Sequence, residues 1–314
     1  MKIVFQNRYF GAVRQALYIA GLFVVFSGCG TPTDSKNEDT RTEGTIHISS
    51  DETFKPVIDS QIKVFEAQNP GAHIIVHYKP EADCFRDFGV DSIRMVVVTR
   101  KCTPQEENFI IDSMKLAPEQ MIVARDAIAV LLNKEAKDTL FTVNEVKDIL
   151  TGRFKKNLIP VFDGLKATST VRFIVDSVLK GDTLTPRTVA GKTSEEVIDY
   201  VSKTADAIGF IGVNWIGNPE DSTQLSFLTK VKSAKLERTD LKGTYTLPVP
   251  ATIFTLRYPL VRDLVYILKE RHNGLGHGFA SFMSGEKGQL IFKRAYLAPM
   301  QKDLRIRPVK LRDE

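Results

Sequence analysis

Residues 124–154 read ARDAIAVLLNKEAKDTLFTVNEVKDILTGRF. Within them Ala127–Asn133 (AIAVLLN) is a continuous apolar run with no polar alternation, the pattern of a strand buried on both faces. A short charged stretch follows, and then Thr142-Val143-Asn144-Glu145 fits the S/T-x-x-E capping box. There the hydroxyl and the carboxylate each accept a backbone N–H that the first helical turn would leave unpaired. The helix runs to Leu150 and Gly152 closes it. Buried strand, short connection, capped helix is the repeating unit of an α/β sheet protein.

The same alternation extends to both sides. Upstream, Thr45–Ser50 (TIHISS) is β-rich. Lys55–Gln68 places Val57, Ile58, Ile62, Val64 and Phe65 near a 3.6-residue period, and Asn69-Pro70-Gly71 stops it. His73–Tyr78 reads as a strand, Cys84–Phe88 as a short helix, Ser92–Thr99 (SIRMVVVT) as a buried strand and Glu106–Met114 as a helix. Downstream, Leu158–Phe162 and Ala207–Val213 read as strands, and Thr170–Leu179 and Ser194–Thr204 as helices. Leu225–Lys230 and Tyr245–Leu256 read as further β segments; Pro259–Arg271, Phe279–Ser284 and Glu286–Ala295 read as helices. This predicts an α/β fold with mostly parallel pairing.

The first thirty residues are different. Lys2, Arg8 and Arg14 precede an apolar run from Ala16 to Phe26, long enough for a secretory leader and too short to span a bilayer. Ser27-Gly28-Cys29-Gly30 then resembles the lipobox of bacterial lipoproteins, although Phe26 stands where Leu is usual. The resemblance implies a signal peptide over 1–28, lipidation of Cys29 and a working domain held at a membrane in the cell envelope, on the periplasmic or extracytoplasmic face. The alternative is a cleaved signal or short anchor with an incidental cysteine. Residues 29–43 lack aliphatic and aromatic side chains apart from the cysteine and read as a flexible tether. The net charge of +5 draws on the three leader cations, so the remainder is nearly balanced and carries no footprint for nucleic acid. Beyond Cys29 only Cys84 and Cys102 remain. In an exported chain they are candidates for a disulfide, the alternative being two buried thiols.

The stretch 124–154 resembles the phosphate-binding protein of the bacterial phosphate ABC transporter, whose pattern here is an A-R-D-A-[IL]-A-V strand followed by a T-x-x-[EQ]-[LV]-x-[DN]-I-[FL]-x-G helix. Gly44-Thr45-Ile46, Phe65-Glu66, Asn69-Pro70-Gly71, Ile208-Gly209-Phe210-Ile211-Gly212 and GLGHGFASFMSGEKGQLIFKRAYLAP (274–299) extend the likeness. It implies the type II periplasmic binding protein fold, with two α/β lobes joined by crossing hinge strands and a ligand cleft between them. Residues 44–126 plus 250–314 would form lobe I and 127–249 lobe II. It implies capture of phosphate or a related oxyanion for an ABC permease, by a monomer that uses no cofactor or metal and catalyses no reaction.

An oxyanion is held by backbone N–H groups, hydroxyls and an arginine. The family's first ligand loop has a Thr-Phe pair that falls on Thr53 and Phe54; Ser50 lies in the same loop. Ser50 or Thr53 could instead only cap the following helix. Asp51 and Glu52 add carboxylates that could accept a phosphate proton or face solvent. Thr99 and Arg100 end a strand, where open α/β sheets bind ligands, and Arg100 is the expected cation; the alternative is a surface salt bridge. In the third loop Thr168 and Thr170 fall on the family's Ser and Thr, with Ser169 between them. Gly164, Ala167, Ser169 and Val171 depart from its Arg, Gly, Gly and Arg, and Arg172 is a displaced substitute. These departures support a rival reading, a sensory or structural lipoprotein with an altered or lost ligand site. A hydrolase on the same scaffold is a further rival, without a Ser/His constellation to support it. His73 and His77 would lie ~13 Å apart along one strand, too far to share a metal. Trp215 reads equally as core or cleft wall.

Overall fold

The computed structural model describes residues 39–164 and 168–300. The leader, Cys29, most of the expected tether, Ala167 and residues 301–314 lie outside them. The strands are β1 Gly44–Asp51, β2 Ala72–Lys79, β3 Ile93–Val98, β4 Glu119–Asn133, β5 Leu140–Phe141, β6 Ile159–Phe162, β7 Val189–Ala190, β8 Ala207–Gly212, β9 Val231–Ser233, β10 Lys235–Glu237, β11 Tyr245–Thr246, β12 Val261–Leu268 and β13 Ala298–Pro299. The main sheet runs β2-β1-β3-β12-β4-β8-β6-β7, with β9 and β13 also on β4; β11-β10-β5 form a small second sheet.

The pairing is parallel at both ends (β2 with β1, β1 with β3, β8 with β6, β6 with β7) and antiparallel in the middle. There β12 lies between β3 and β4, and β4 runs against β8. The parallel sheet predicted from the sequence is therefore two parallel α/β halves with an antiparallel junction. The reason is the length of β4. Its first half, Glu119–Ala127, pairs with β12, and its second, Ile128–Leu132, pairs with β8, so one strand serves both halves.

Helices cover each half. Lys55–Gln68 buries Val57, Ile58, Ile62 and Phe65, and the Phe65 ring meets Phe279 and Phe282 edge-on, each with centroids 5.4 Å apart. In the other half Ser194–Lys203 buries Val197, Ile198 and Val201 against β8. Phe162 and Phe210 stack across β6 and β8 at 4.8 Å. The capping box at Thr142 is present, with Glu145 N donating to Thr142 Oγ1 and Thr142 N to Glu145 Oε2, and the helix Val143–Thr151 follows it.

Several expected elements change type. Leu225–Lys230 belongs to a helix, Ser222–Lys230, because Asp221 caps it by accepting from Thr223 N and Gln224 N. Of 245–256 only Tyr245–Thr246 is strand, and Pro250–Phe254 is a short helix. Residues 259–271 contain β12, not a helix. So short a segment carries too little periodicity to separate the two, and VRDLVYIL has a partner strand on each side.

The last residues of the expected tether are not a tether. Asp39 pairs with Arg94 at 2.7 Å and accepts from Leu275 N, while Arg41 donates to Asn273 Oδ1 at 3.2 Å. A Cβ on Gly278 would fall 1.8 Å from Arg41 O, so this glycine lets the segment lie against helix Leu275–Ser284. Ion pairs and backbone contacts, not apolar burial, order it. The disulfide is also absent: Cys84 and Cys102 are free thiols. Cys84 Sγ is buried and donates to Lys79 O at 3.6 Å. Burial pushes both thiols up, Cys102 to about 11, which keeps them protonated.

Two outcomes follow. Thr142→Ala should lower stability by about 1 kcal/mol in denaturant unfolding, with an unchanged slope. In the chain carrying Cys29→Ser, a thiol reagent under non-reducing conditions should count two thiols after denaturation, with Cys84 unreactive before it; a count of zero would restore the disulfide.

Candidate functional site

Where β4 and β12 lie side by side, Asp126 faces Arg262 in register. Arg262 Nε donates to Asp126 Oδ2 at 2.9 Å, and the two side chains are 2% and 0% exposed. Arg262 Nη1 donates to Ser169 Oγ at 2.9 Å and to Thr170 Oγ1 at 3.3 Å. Its guanidinium carbon sits 5.2 Å from the centre of the buried Phe54 ring. The remaining nitrogen, Nη2, lies 2.8 Å from Asp126 Oδ2 but is buried without an aligned acceptor. A Cβ on Gly212 would come within 2.7 Å of Thr53 Cγ2, 2.8 Å of Asn214 Nδ2 and 3.3 Å of Arg262 Nη2. The glycine at the end of β8 thus leaves the space in which these three side chains meet.

Thr53 is the hub of the second layer. Asp51 Oδ1 accepts from Thr53 N at 3.0 Å and fixes the turn after β1. Thr53 O accepts from Asn214 Nδ2 at 3.0 Å and from Trp215 Nε1 at 2.8 Å. Trp215 therefore holds the first loop from the opposite half of the sheet. Thr53 Oγ1 donates to Asp163 Oδ2 at 3.4 Å, and Ser194 Oγ donates to the same oxygen at 3.4 Å.

A second polar cluster adjoins it. Thr99 donates through N (2.8 Å) and Oγ1 (2.5 Å) to Glu81 Oε1. Arg172 Nε donates to Glu81 Oε2 at 2.6 Å, and Arg172 Nη2 donates to Thr99 Oγ1 at 2.6 Å. Burial works to raise the Glu81 carboxyl, but the bonds and charge of Arg172 hold it below the usual range.

Among the described residues, Asp51, Glu52 and Asp163 have no such cationic partner. Burial first, and then the charge of Asp51, push Asp163 up to about 6. Burial followed by the charges of Asp163 and Asp51 pushes Glu52 up to about 7. Burial also raises Asp51 and Asp126, with Arg262 acting against it. Asp163 Oδ1 and Asn214 Oδ1 are buried acceptors with no hydrogen-bond partner, while Asp51 has the Ser169 hydroxyl within reach.

Of the residues expected from the sequence, Thr53, Phe54, Ser169 and Thr170 meet around Arg262. Thr99 joins the Glu81–Arg172 cluster. Thr168 caps the helix Ser169–Phe173, accepting from Val171 N at 3.3 Å. Ser50 is buried and donates locally to Asp51 O at 3.3 Å. Arg100 is the main correction. It forms a two-pronged pair with Glu106 at 2.7 and 2.8 Å and lies over the Phe85 ring, so it is the surface salt bridge and not the site cation. Its partner is the capping-box glutamate of helix Pro104–Met114, which draws it outward. Arg262 was missed because its segment read as a helix; the signal was the β-branched and aromatic content of VRDLVYIL. Asp126 lay inside the quoted motif, and Asp163 sits directly after a strand.

Residues 35–287 match the PBP superfamily domain, and the chain belongs to that superfamily of solute-binding proteins, which are not enzymes. Among solved structures it is similar to a Clostridium perfringens substrate-binding protein assigned to a phosphate ABC transporter and holding phosphate (17% identity, TM-score 0.66, 82% of this chain and 100% of that one). It is also similar to an ABC-type phosphate transport receptor from Vibrio cholerae (16%, TM-score 0.59, 81% and 99%) and to PstS from Borrelia burgdorferi (17%, TM-score 0.53, 83% and 100%). Curated proteins give no match. The observed architecture is that of the periplasmic binding proteins, two α/β halves joined through shared strands.

Between about pH 4 and pH 6 to 7, Asp163 and Glu52 hold protons in the folded chain that they would release on unfolding. Their contribution is greatest below about pH 4 and falls as pH rises through 6 to 7. The unliganded chain should therefore melt higher at pH 5 than at pH 8, and Asp163→Asn should flatten that slope in a pH series of thermal melts. Arg262→Ala strands the buried Asp126 charge and should cost about 3–5 kcal/mol in denaturant unfolding.

Proposed function

We propose that this protein is a membrane-anchored extracytoplasmic solute-binding protein that captures phosphate or a related oxyanion for an ABC importer. One observation carries the reading: a guanidinium buried where the two halves join, bonded to the hydroxyls of Ser169 and Thr170. A planar charged donor beside hydroxyls suits a tetrahedral or planar oxyanion. The lobes are 44–126 plus 250–314 and 127–249, and the partner change of β4 between Ala127 and Ile128 supports that boundary. Ligand contacts to both lobes then drive closure, because only a ligand that interacts differently with open and closed forms shifts their populations. Cys29 carries the lipid, the monomer delivers its ligand to a permease, and the chain makes and breaks no bond.

The rival, a sensory or structural lipoprotein with the same fold, draws on the unpaired acids Asp51, Glu52 and Asp163, which disfavour a dianion. Calorimetry on the mature chain with phosphate, and with sulfate as control, separates the two. Micromolar or tighter phosphate binding is expected, weakened at least roughly tenfold by Arg262→Lys, which loses the fork geometry, and unchanged in Arg100→Ala. A folded chain that binds neither anion would favour the rival.

A further inference from the structure

The charges of the cleft do not cancel. Arg262 is matched by Asp126 and Arg172 by Glu81. Asp51 and Asp163 are both buried, with Glu52 beside them, and no basic side chain among the described residues pairs with any of the three. They surround Thr53: Asp51 through its backbone N–H, Asp163 through its hydroxyl. Asn214 reaches the same residue and ends in a buried, unpartnered Oδ1. With Asp163 Oδ1, that makes two buried acceptors awaiting donors, and Asp51 beside them has the Ser169 hydroxyl but no cation bonded to it. Buried acceptors of this kind are otherwise paired in folded proteins.

A bare metal ion does not satisfy this arrangement. Among the described residues the acids able to converge on one ion are Asp39 and Glu270 with His272, and there Arg94 already pairs with both carboxylates. The oxygens of Asp51, Glu52 and Asp163 do not come together in that way. Phosphate alone supplies at most two O–H donors and adds negative charge to the acids. A primary ammonium supplies three N–H donors and the missing positive charge.

Resting on the oxyanion reading above, we infer that the cleft is built for a small zwitterion, its oxyanion head on Arg262, Ser169 and Thr170 and its primary ammonium on Asp51 and Asp163, as in an aminoalkyl phosphonate or phosphate. Asp51 and Asp163 are then specificity residues that distinguish the amine-bearing ligand from the plain oxyanion.

The test is calorimetry on the mature chain carrying Cys29→Ser at pH 7.5, with 2-aminoethylphosphonate, ethylphosphonate, inorganic phosphate and ethylamine. The amine-bearing phosphonate should bind roughly tenfold or more tighter than ethylphosphonate. Asp51→Asn and Asp163→Asn should each reduce that ratio. Asn keeps the shape and the acceptor for Thr53 N, and a thermal melt verifies that each variant is folded. Equal affinity for the two phosphonates would overturn the zwitterion and leave the oxyanion site standing. Ethylamine binding as tightly as 2-aminoethylphosphonate, or no binding of any probe by the folded chain, would overturn both.

Discussion

The Arg262–Asp126 pair stands at the point on which the rest of the molecule depends. Both residues lie on the strands that join the two halves, and both are almost fully buried. Removing two charges from water is costly, and only good geometry with further hydrogen bonds offsets it. Here the offset comes from Ser169 and Thr170, which belong to the helix of the opposite half, and from the Phe54 ring of the first loop. One ion pair thus ties the crossing strands, the first loop and the third loop to a common centre. Its position at the junction makes any ligand that engages Arg262 a contact between halves.

Around this centre the polar side chains fall into two groups. Glu81, Thr99 and Arg172 satisfy one another and link the end of β3 to helix Ser169–Phe173. Asp51, Glu52 and Asp163 do not, and burial pushes their carboxyls up. A buried network that is complete rigidifies, whereas one with open acceptors is costly until something supplies the donors. The incomplete group lies close enough to the arginine for its charge to act on Asp51 and Asp163.

Much of this was legible beforehand. The capping box at Thr142, the helical spacing of Lys55–Gln68 and the apolar runs at 92–99 and 207–213 depend on neighbours close in sequence, so the sequence alone could show them. Thr53, Phe54, Ser169 and Thr170 were reachable through a resemblance that covered their loops. Arg100 was misplaced because a strand end names a location without saying which way a long side chain turns, and Glu106, six residues on, captured it. The docking of Asp39 and Arg41 was hidden because their partners, Arg94 and Asn273, are far away in the chain.

The sequence by itself determined the α/β class, the order of most elements and the family pattern, since these follow from local periodicity, capping and turn residues. Only the tertiary structure decided that 261–268 is a strand, that Arg262 rather than Arg100 is the cation buried between the halves, and that Asp163 and Asp51 both bond Thr53. Those outcomes depend on which distant segments share a hydrogen-bond ladder and which charges are removed from water together. Both are properties of the assembled sheet, and no window of sequence contains them.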